Sequence, residues 1–164
     1  MAFADALLPE FDHEMGTTRR LLERLPEERF GWKPHERSMT LGRLSTHVAE
    51  IPLWGERILE HEELDLSGPY TPREERSREA VLALFDETTA KMRKVLASKS
   101  DAEFMVPWAL KRDGKTIFSA PRAAMLRSMV LNHLIHHRGQ LSVYLRENDV
   151  PLPSIYGPSA DEGA

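Results

Sequence analysis

Near the C-terminus the chain reads Asn132-His133-Leu134-Ile135-His136-His137-Arg138-Gly139-Gln140-Leu141, so three of its seven histidines fall within five residues of an apolar, helix-like segment. A buried histidine is costly unless its ring nitrogens find partners. Two histidines four residues apart on a helix lie one above the other and can reach a single metal ion. His133 and His137 have this spacing. The segment therefore predicts a buried helix that carries a pair of metal ligands.

The helical periodicity separates the three histidines of this segment. With about 100° per residue and His133 at zero, His137 falls near 40° and His136 near −60°. The apolar side chains of the same helix fall between about 20° and 80°: Leu126, Val130, Leu141 and Tyr144. We therefore expect His133 and His137 to point into the protein and His136 to lie towards the edge of the helix face.

A third inward-facing histidine is predicted on an earlier helix. Around His47, the apolar residues Leu44, Ile51, Trp54 and Ile58 all fall within about 60° on the wheel. Three imidazoles from two helices suit a metal site in a bundle core, and three ligands with an open position are typical of a reactive zinc. Nickel, iron or manganese are chemically possible too. The alternative is that these histidines are buried side chains satisfied by neighbouring hydroxyls or carboxylates.

Amphipathic periodicity predicts four long helices and one hairpin. The helices cover about residues 4–25, 40–61, 73–98 and 121–148. Between the last two, the turn signal Arg112-Asp113-Gly114-Lys115 has short apolar pieces on either side and predicts a small β-hairpin within about residues 104–118. We thus expect an all-α fold, a four-helix bundle with a hairpin before the last helix, formed by residues 1–164 as a single domain.

Composition narrows the classes of function. The formal net charge of −4, without a basic block, argues against nucleic-acid binding as the main role. No apolar run approaches the roughly 20 residues that span a bilayer. The N-terminus shows no signal-peptide pattern, so we expect a cytoplasmic protein without a membrane partner. Because the chain has no cysteine, a metal must be held by nitrogen and oxygen ligands, and a cysteine nucleophile is excluded.

Other polar and aromatic residues are open to two interpretations. Glu50, three residues after His47, is either a carboxylate that orients a histidine or acts as a general base, or a solvated helix residue. We expect His13 to face solvent, His35 to lie in a loop and His61 to lie at a helix end. Four aromatic residues could line a substrate pocket near the metal, or belong to the core or an interface: Trp32, Trp54, Trp108 and Tyr156.

Several motifs of the chain form a recognisable pattern. They are Asn132-His-Leu-Ile-His-His-Arg-Gly-Gln-Leu-Ser-Val-Tyr-Leu-Arg146, Val150-Pro-Leu-Pro-Ser-Ile-Tyr-Gly-Pro-Ser159, Met39-Thr-Leu-Gly-Arg-Leu-Ser-Thr-His47-Val-Ala-Glu50 and Trp32-Lys-Pro34. Together they resemble DinB-like (YfiT-like) proteins over nearly the whole chain. The resemblance implies a four-helix bundle, often dimeric, with a divalent metal held by His47, His133 and His137. It also implies thiol-dependent transferase or isomerase chemistry with mycothiol or bacillithiol, although many members have no known substrate.

Two functions from different classes follow from this pattern. The first is a metal-dependent enzyme, a low-molecular-weight-thiol S-transferase or a hydrolase acting on a small molecule, with zinc or nickel at an open site; its catalytic residues are not identified. The second is a non-catalytic, stress-related binding module whose metal is structural and is closed by a fourth protein ligand. A bundle without metal is a third interpretation, and chelation separates it from the other two.

Overall fold

Helices dominate the architecture, as the sequence predicts. The computed structural model describes residues 2–69 and 71–163. The α-helices are α1 (Phe3–Leu22), α2 (Leu41–Glu60), α3 (Arg78–Ser98), the short α4 (Asp101–Met105), α5 (Arg122–Leu126) and α6 (His133–Glu147). A π-helical turn, Arg127–Asn132, joins α5 to α6 in one continuous helical segment. A 3₁₀ turn, Glu27–Arg29, lies between α1 and α2.

Four helices form the bundle in the cyclic order α1, α3, α2, α6. Helix α2 packs against α3 and α6, and α1 packs against the same two helices from the opposite side. Helices α1 and α2 are therefore diagonal to each other although they are consecutive in the chain, which explains the long connection between them. The four-helix bundle is confirmed. Within the described residues, no helix has both the length and the apolar character needed to cross a membrane.

Side-chain caps fix where the helices begin. The Thr40 hydroxyl accepts a hydrogen bond from the Arg43 backbone N–H at 3.0 Å and starts α2 as the sequence predicts. Ser77 does the same for α3 by accepting from Ala80 N at 3.1 Å. Helix α3 thus begins at Arg78, and the predicted start near residue 73 was wrong because a serine cap defines the first turn better than the preceding Thr71-Pro72 pair.

A small three-stranded sheet covers one end of the bundle. The predicted hairpin is confirmed: β2 (Pro107–Arg112) and β3 (Lys115–Pro121) pair antiparallel across Asp113 and Gly114, whose φ angles of 52° and 71° fit a tight hairpin turn. No sequence pattern indicates β1 (Glu63–Asp65), which pairs parallel to β2. Three residues are too few for a recognisable alternation of apolar and polar side chains.

The π-helical turn lies directly before His133 and contacts α2. Such turns insert an extra residue into a helix and often occur at functional sites. The insertion changes the rotational phase of the residues that precede His133. The four-residue step from His133 to His137 is unaffected because both residues lie in the regular helix α6.

Candidate metal centre

Three histidines from two neighbouring helices of the bundle converge at a half-buried position. His47 lies on α2, and His133 and His137 lie on the first turns of α6. Their ligand atoms all lie within 4.8 Å of one another. His133 Nε2 is 3.3 Å from His47 Nε2 and 2.8 Å from His137 Nε2. The structure thus brings together the three residues that the sequence singles out as metal ligands; that they bind a metal stays a prediction.

The outer ring nitrogens of two of these histidines have their own partners. His137 Nδ1 lies 2.7 Å from Gln140 Oε1. An amide oxygen only accepts, so Nδ1 carries the proton and Nε2 presents a lone pair. His133 hydrogen-bonds with the backbone of Met129, which raises its pKa and identifies the ring as the donor. Because His133 Nε2 faces the other histidines, this bond falls to Nδ1. Both rings therefore direct lone pairs at the same point.

Burial keeps the three imidazoles neutral. Burial is the largest cause that lowers the pKa of His47 to about 3, and His137, His133 and Arg43 contribute to the same shift. Burial is also the largest cause that lowers the pKa of His133 and of His137. Neutral imidazole is the form that binds metal. The cluster is thus a set of ligands in the correct protonation state.

The donor set and its geometry fit a divalent transition metal. With both Nδ1 atoms protonated, the Nε2 atoms of His133 and His137, 2.8 Å apart, direct lone pairs at each other. These lone pairs repel unless a cation lies between them, because burial disfavours an added proton. Two nitrogens bound to one zinc at about 2.0 Å and a tetrahedral angle would lie about 3.3 Å apart. The pair formed by His47 and His133 meets this distance. The His133–His137 pair would need to open by about 0.5 Å, within reach of small ring rotations.

Gln140 is expected to support metal binding without contacting the metal. Its amide oxygen fixes the tautomer and the orientation of His137, and removing such a partner typically weakens metal affinity about 10- to 100-fold. Gln140→Leu should therefore weaken zinc binding by that factor, measured by competition with a chromophoric chelator. Gln140→Glu keeps an acceptor and should retain the affinity. Equal affinities of the leucine variant and the wild type would contradict this role.

The metal-free protein is expected to lose stability as the pH falls from about 6.5 towards 3. The pKa of each histidine of the cluster is lower in the folded state than in the unfolded chain. Below about pH 6.5 the unfolded chain therefore binds more protons, and the free energy of unfolding decreases as the pH decreases. Above about pH 6.5 these histidines are neutral in both states, so they do not make the free energy of unfolding depend on pH.

Urea unfolding of chelator-treated protein between pH 7.5 and 5 measures this slope, with pH values chosen around the unperturbed histidine pKa of about 6.5. His47→Gln should flatten the slope. The exposed His13 supplies the control, since His13→Gln should leave the slope unchanged. A slope that His47→Gln does not alter would contradict the expectation.

A cavity of about 590 Å³ opens beside the cluster on the side of His47. Its wall includes Glu50, Trp54 and Arg57 of α2 and Leu64 of β1. This volume lies within the range of about 300–1,000 Å³ that is usual for small-molecule sites. Of the three histidines, His47 is the one that reaches the cavity wall, so a ligand in the cavity has access to the cluster.

Glu50 lies in the cavity wall and pairs with a neighbouring arginine. Arg43 Nη1 donates to Glu50 Oε2 at 3.1 Å, and their side chains are only 14% and 17% exposed. The pair is therefore partly shielded from water, where charges interact more strongly than at the surface. Glu50 is therefore not a fully solvated helix residue; that it orients a histidine or acts as a general base stays a prediction.

The remaining sequence candidates divide between surface, core and cavity. His136 is exposed, as the wheel predicts, and His13, His35 and His61 are exposed as well. Among the aromatic residues, Trp54 lines the cavity. Trp108 is 1% exposed and belongs to the core, and Trp32 packs edge-on against Tyr144. Trp54 thus lines a cavity next to His47, and that this cavity takes a substrate stays a prediction.

Beside the cluster lies a buried ion pair that the sequence did not reveal. Arg138 is 1% exposed and its Nη2 lies 2.6 Å from the Glu14 carboxylate of α1. Tyr156 donates its hydroxyl to Glu14 and accepts from Arg138, whose guanidinium lies 4.9 Å from the Tyr156 ring. Arg138 thus lies in the protein interior, between α6 and α1. The sequence feature that indicates a buried ion pair is an acidic residue on the apolar face of α1: Glu14 lies three residues after the buried Phe11.

Comparison with known proteins assigns the whole chain to one protein family. The family model of the DinB family matches residues 1–164. Among curated proteins, the uncharacterized protein YrdA of Bacillus subtilis (strain 168) is 24% identical over 161 residues, which cover 98% of this chain and 92% of YrdA.

Two solved structures share the fold. A DinB-like protein from Bacillus cereus ATCC 10987 superposes with a TM-score of 0.73 at 18% identity, covering 94% of this chain and 98% of that one. The DinB-like protein YjoA from Bacillus subtilis gives a TM-score of 0.69 at 22% identity, covering 92% and 96% of the two chains. At these identities the likeness concerns the fold.

Proposed function

Since this chain belongs to the DinB family and its three inward histidines converge beside a cavity, we propose that it is a divalent-metal-dependent enzyme acting on a small molecule. His47, His133 and His137 would hold the metal, with zinc or nickel as the preferred ion and iron or manganese as chemically possible ones. The reaction class is thiol S-transfer to an electrophile, with hydrolysis as the related alternative.

One observation carries the proposal: the cluster offers three ligands, and a cavity adjoins one of them. Within the described residues, the group of potential metal ligands consists of His47, His133 and His137. Structural zinc sites use four protein ligands, whereas catalytic sites use three and leave a position for water or substrate. A set of three beside a cavity of about 590 Å³ favours the catalytic arrangement.

The metal and the residues around it would have different roles in the reaction. When bound, the metal supplies Lewis-acid chemistry and favours the deprotonated form of a water or thiol. Gln140 keeps His137 in the ligating tautomer. Glu50, which lines the same cavity wall as His47, would take up a proton from the nucleophile, and Arg43 donates to its Oε2 at 3.1 Å and orients it.

The test is a thiol-transfer assay on protein loaded with zinc or nickel, using several low-molecular-weight thiols, bacillithiol and mycothiol among them, and a general electrophile such as a chlorodinitrobenzene. We expect metal-dependent turnover that His133→Ala abolishes and that the exposed His136→Ala retains. Equal turnover with and without metal would contradict the enzymatic proposal. So would a lack of turnover with every thiol and with ester substrates.

The second candidate function is a non-catalytic, stress-related module with a structural metal. The helices that supply the ligands favour it, because a metal shared by α2 and α6 would tie two bundle helices together. X-ray absorption at the metal edge separates the two: four protein ligands support this candidate, and three imidazoles plus an exchangeable ligand support the enzyme.

We propose in addition that the protein is a homodimer. The apolar side chains Met105, Ile117 and Phe118 around the hairpin are more than half exposed, and exposed apolar patches often mark interfaces. Sedimentation equilibrium measures the mass of the assembly. A monomer at micromolar concentration would contradict this proposal.

A further inference from the structure

One face of α2 extends the metal centre into an elongated cavity. His47, Glu50, Trp54 and Arg57 line the cavity at spacings of three, four and three residues, which places them on the same side of the helix. With about 1.5 Å of rise per residue, the backbone positions of His47 and Arg57 are about 15 Å apart along the helix. A ligand that reaches both ends must therefore be several bonds long.

The acidic groups of the cavity wall already have partners. Glu50 pairs with Arg43 at 3.1 Å. The Asp65 carboxylate accepts hydrogen bonds from the backbone N–H groups of Ser67 and Gly114, both at 2.9 Å. These bonds also fasten the segment after β1 to the hairpin turn. Arg43 and the hairpin turn thus hold the oxygens of Glu50 and Asp65, and within the described residues neither carboxylate forms an ion pair with Arg57 or Arg112.

The two arginines of the wall, Arg57 and Arg112, are exposed and form no ion pair within residues 2–69 and 71–163. Guanidinium groups bind carboxylate, phosphate or sulfonate through charge-assisted hydrogen bonds. Arg112 is the last residue of β2 and precedes the turn that Asp65 holds in place. Two cations in one cavity, with no ion-pair partner in the described part of the chain, indicate an anionic ligand.

The rest of the wall is apolar. Leu53 and Trp54 contribute from α2, and Leu64 and Leu66 contribute from β1 and the segment that follows it. Apolar surface of this kind stabilises a ligand by removing its apolar surface from water. The wall thus favours a ligand with a hydrocarbon or aromatic body over a small inorganic anion.

We propose that this cavity binds an anionic, partly apolar small molecule, whose anionic group contacts Arg57 and Arg112 while its opposite end reaches the three-histidine cluster. The apolar body would lie against Leu53 and Trp54. This inference rests on the proposed function in one respect, namely that the reacting end of the ligand meets the metal. It adds the chemical class of the substrate, which the three histidines alone do not specify.

The test uses a chain-length series of ω-mercaptocarboxylates on cobalt-loaded protein. The thiol binds the cobalt, and sulfur-to-cobalt charge-transfer absorption reports its affinity. Matched ω-mercaptoalcohols of the same length lack the charge. Each methylene should strengthen both series about fourfold while it is buried. At the length that spans the cavity, the acid should bind about tenfold more tightly than the alcohol, and at short lengths the two should be equal.

Arginine variants identify the anion site. Arg57→Gln and Arg112→Gln should each remove most of the preference for the acid at the spanning length and leave cobalt affinity unchanged. Arg29→Gln is the matched control, because Arg29 is exposed and lies in the 3₁₀ turn away from the cavity wall. It should keep the full preference.

The outcomes separate the two proposals. If charge-transfer absorption appears but acids and alcohols bind with equal affinity at every length, the anionic-ligand inference is overturned while the metal site stands. The same holds if neither arginine variant reduces the preference for the acid. Absence of charge-transfer absorption with every thiol, despite bound cobalt, would contradict the thiol-transferase proposal. In that case the anion site is tested on the same protein by competition of long-chain carboxylates and alcohols against a fluorescent naphthalenesulfonate, where equal competition would overturn it.

Discussion

Glu14→Ala is expected to destabilise the protein by about 3–5 kcal/mol, because it leaves a guanidinium buried without its carboxylate. Arg138 is 1% exposed and Glu14 is 6% exposed, so water cannot replace the lost partner. The Tyr156 hydroxyl, which donates to Glu14 at 2.9 Å, loses its acceptor as well. A loss of this size is a large fraction of the 5–15 kcal/mol that is typical of a folded domain. Urea unfolding followed by circular dichroism measures it.

The same helix supplies a matched control. Glu10 pairs with Arg127 through side chains that are 37% and 49% exposed. An exposed ion pair contributes about 0–1 kcal/mol, so Glu10→Ala should change the free energy of unfolding by no more than that. If Glu14→Ala and Glu10→Ala lower the free energy of unfolding by the same amount, the buried network of Glu14, Arg138 and Tyr156 does not stabilise the protein as its burial implies.

Removing the metal is expected to lower the melting temperature on the order of 10 °C. A ligand that binds only the folded state at about 1,000 times its Kd stabilises it by about 4 kcal/mol, and each kcal/mol corresponds to about 2–4 °C in a domain of this size. The unfolded chain cannot hold His47 against His133, which is 86 residues away in sequence. Calorimetry with and without a chelator measures the shift.

Two variants of the last helix make this prediction specific. His133→Ala removes the histidine whose Nε2 is nearest to both others, and its melting temperature should be insensitive to the chelator. His136→Ala changes an exposed neighbour on the same helix and should keep the full shift. Equal melting temperatures of the wild type in the two buffers would contradict metal-linked stability.

The sequence predicted the candidate site because it depends on short, regular spacings. The step from His133 to His137 lies within one α-helix, and His47 lies in a helix whose apolar face is clear. The π-helical turn before His133 changes the rotational phase of the residues that precede it. The angles predicted for Leu126 and Val130 assume a regular α-helix and therefore do not apply. Both are buried nonetheless, since the turn packs against α2.

Other features depend on contacts between residues distant in sequence. The ion pair of Arg138 and Glu14 joins side chains 124 residues apart, and helical spacing alone does not indicate which face of α6 meets α1. Likewise, β1 acquires its extended conformation by pairing with β2 and not from its own three residues. Local periodicity thus predicts the helices and their inward histidines, while the neighbours of each helix are decided by packing.

The most direct measurement of the central claim is the metal content of protein purified without chelators, determined by elemental analysis on the wild type, His133→Ala and His136→Ala. If His47, His133 and His137 form a metal centre, the wild type and the His136 variant should each contain about one divalent transition metal per chain, and the His133 variant should contain far less. A wild type without metal, even after incubation with zinc or nickel, or a His133 variant with the full content, would contradict it.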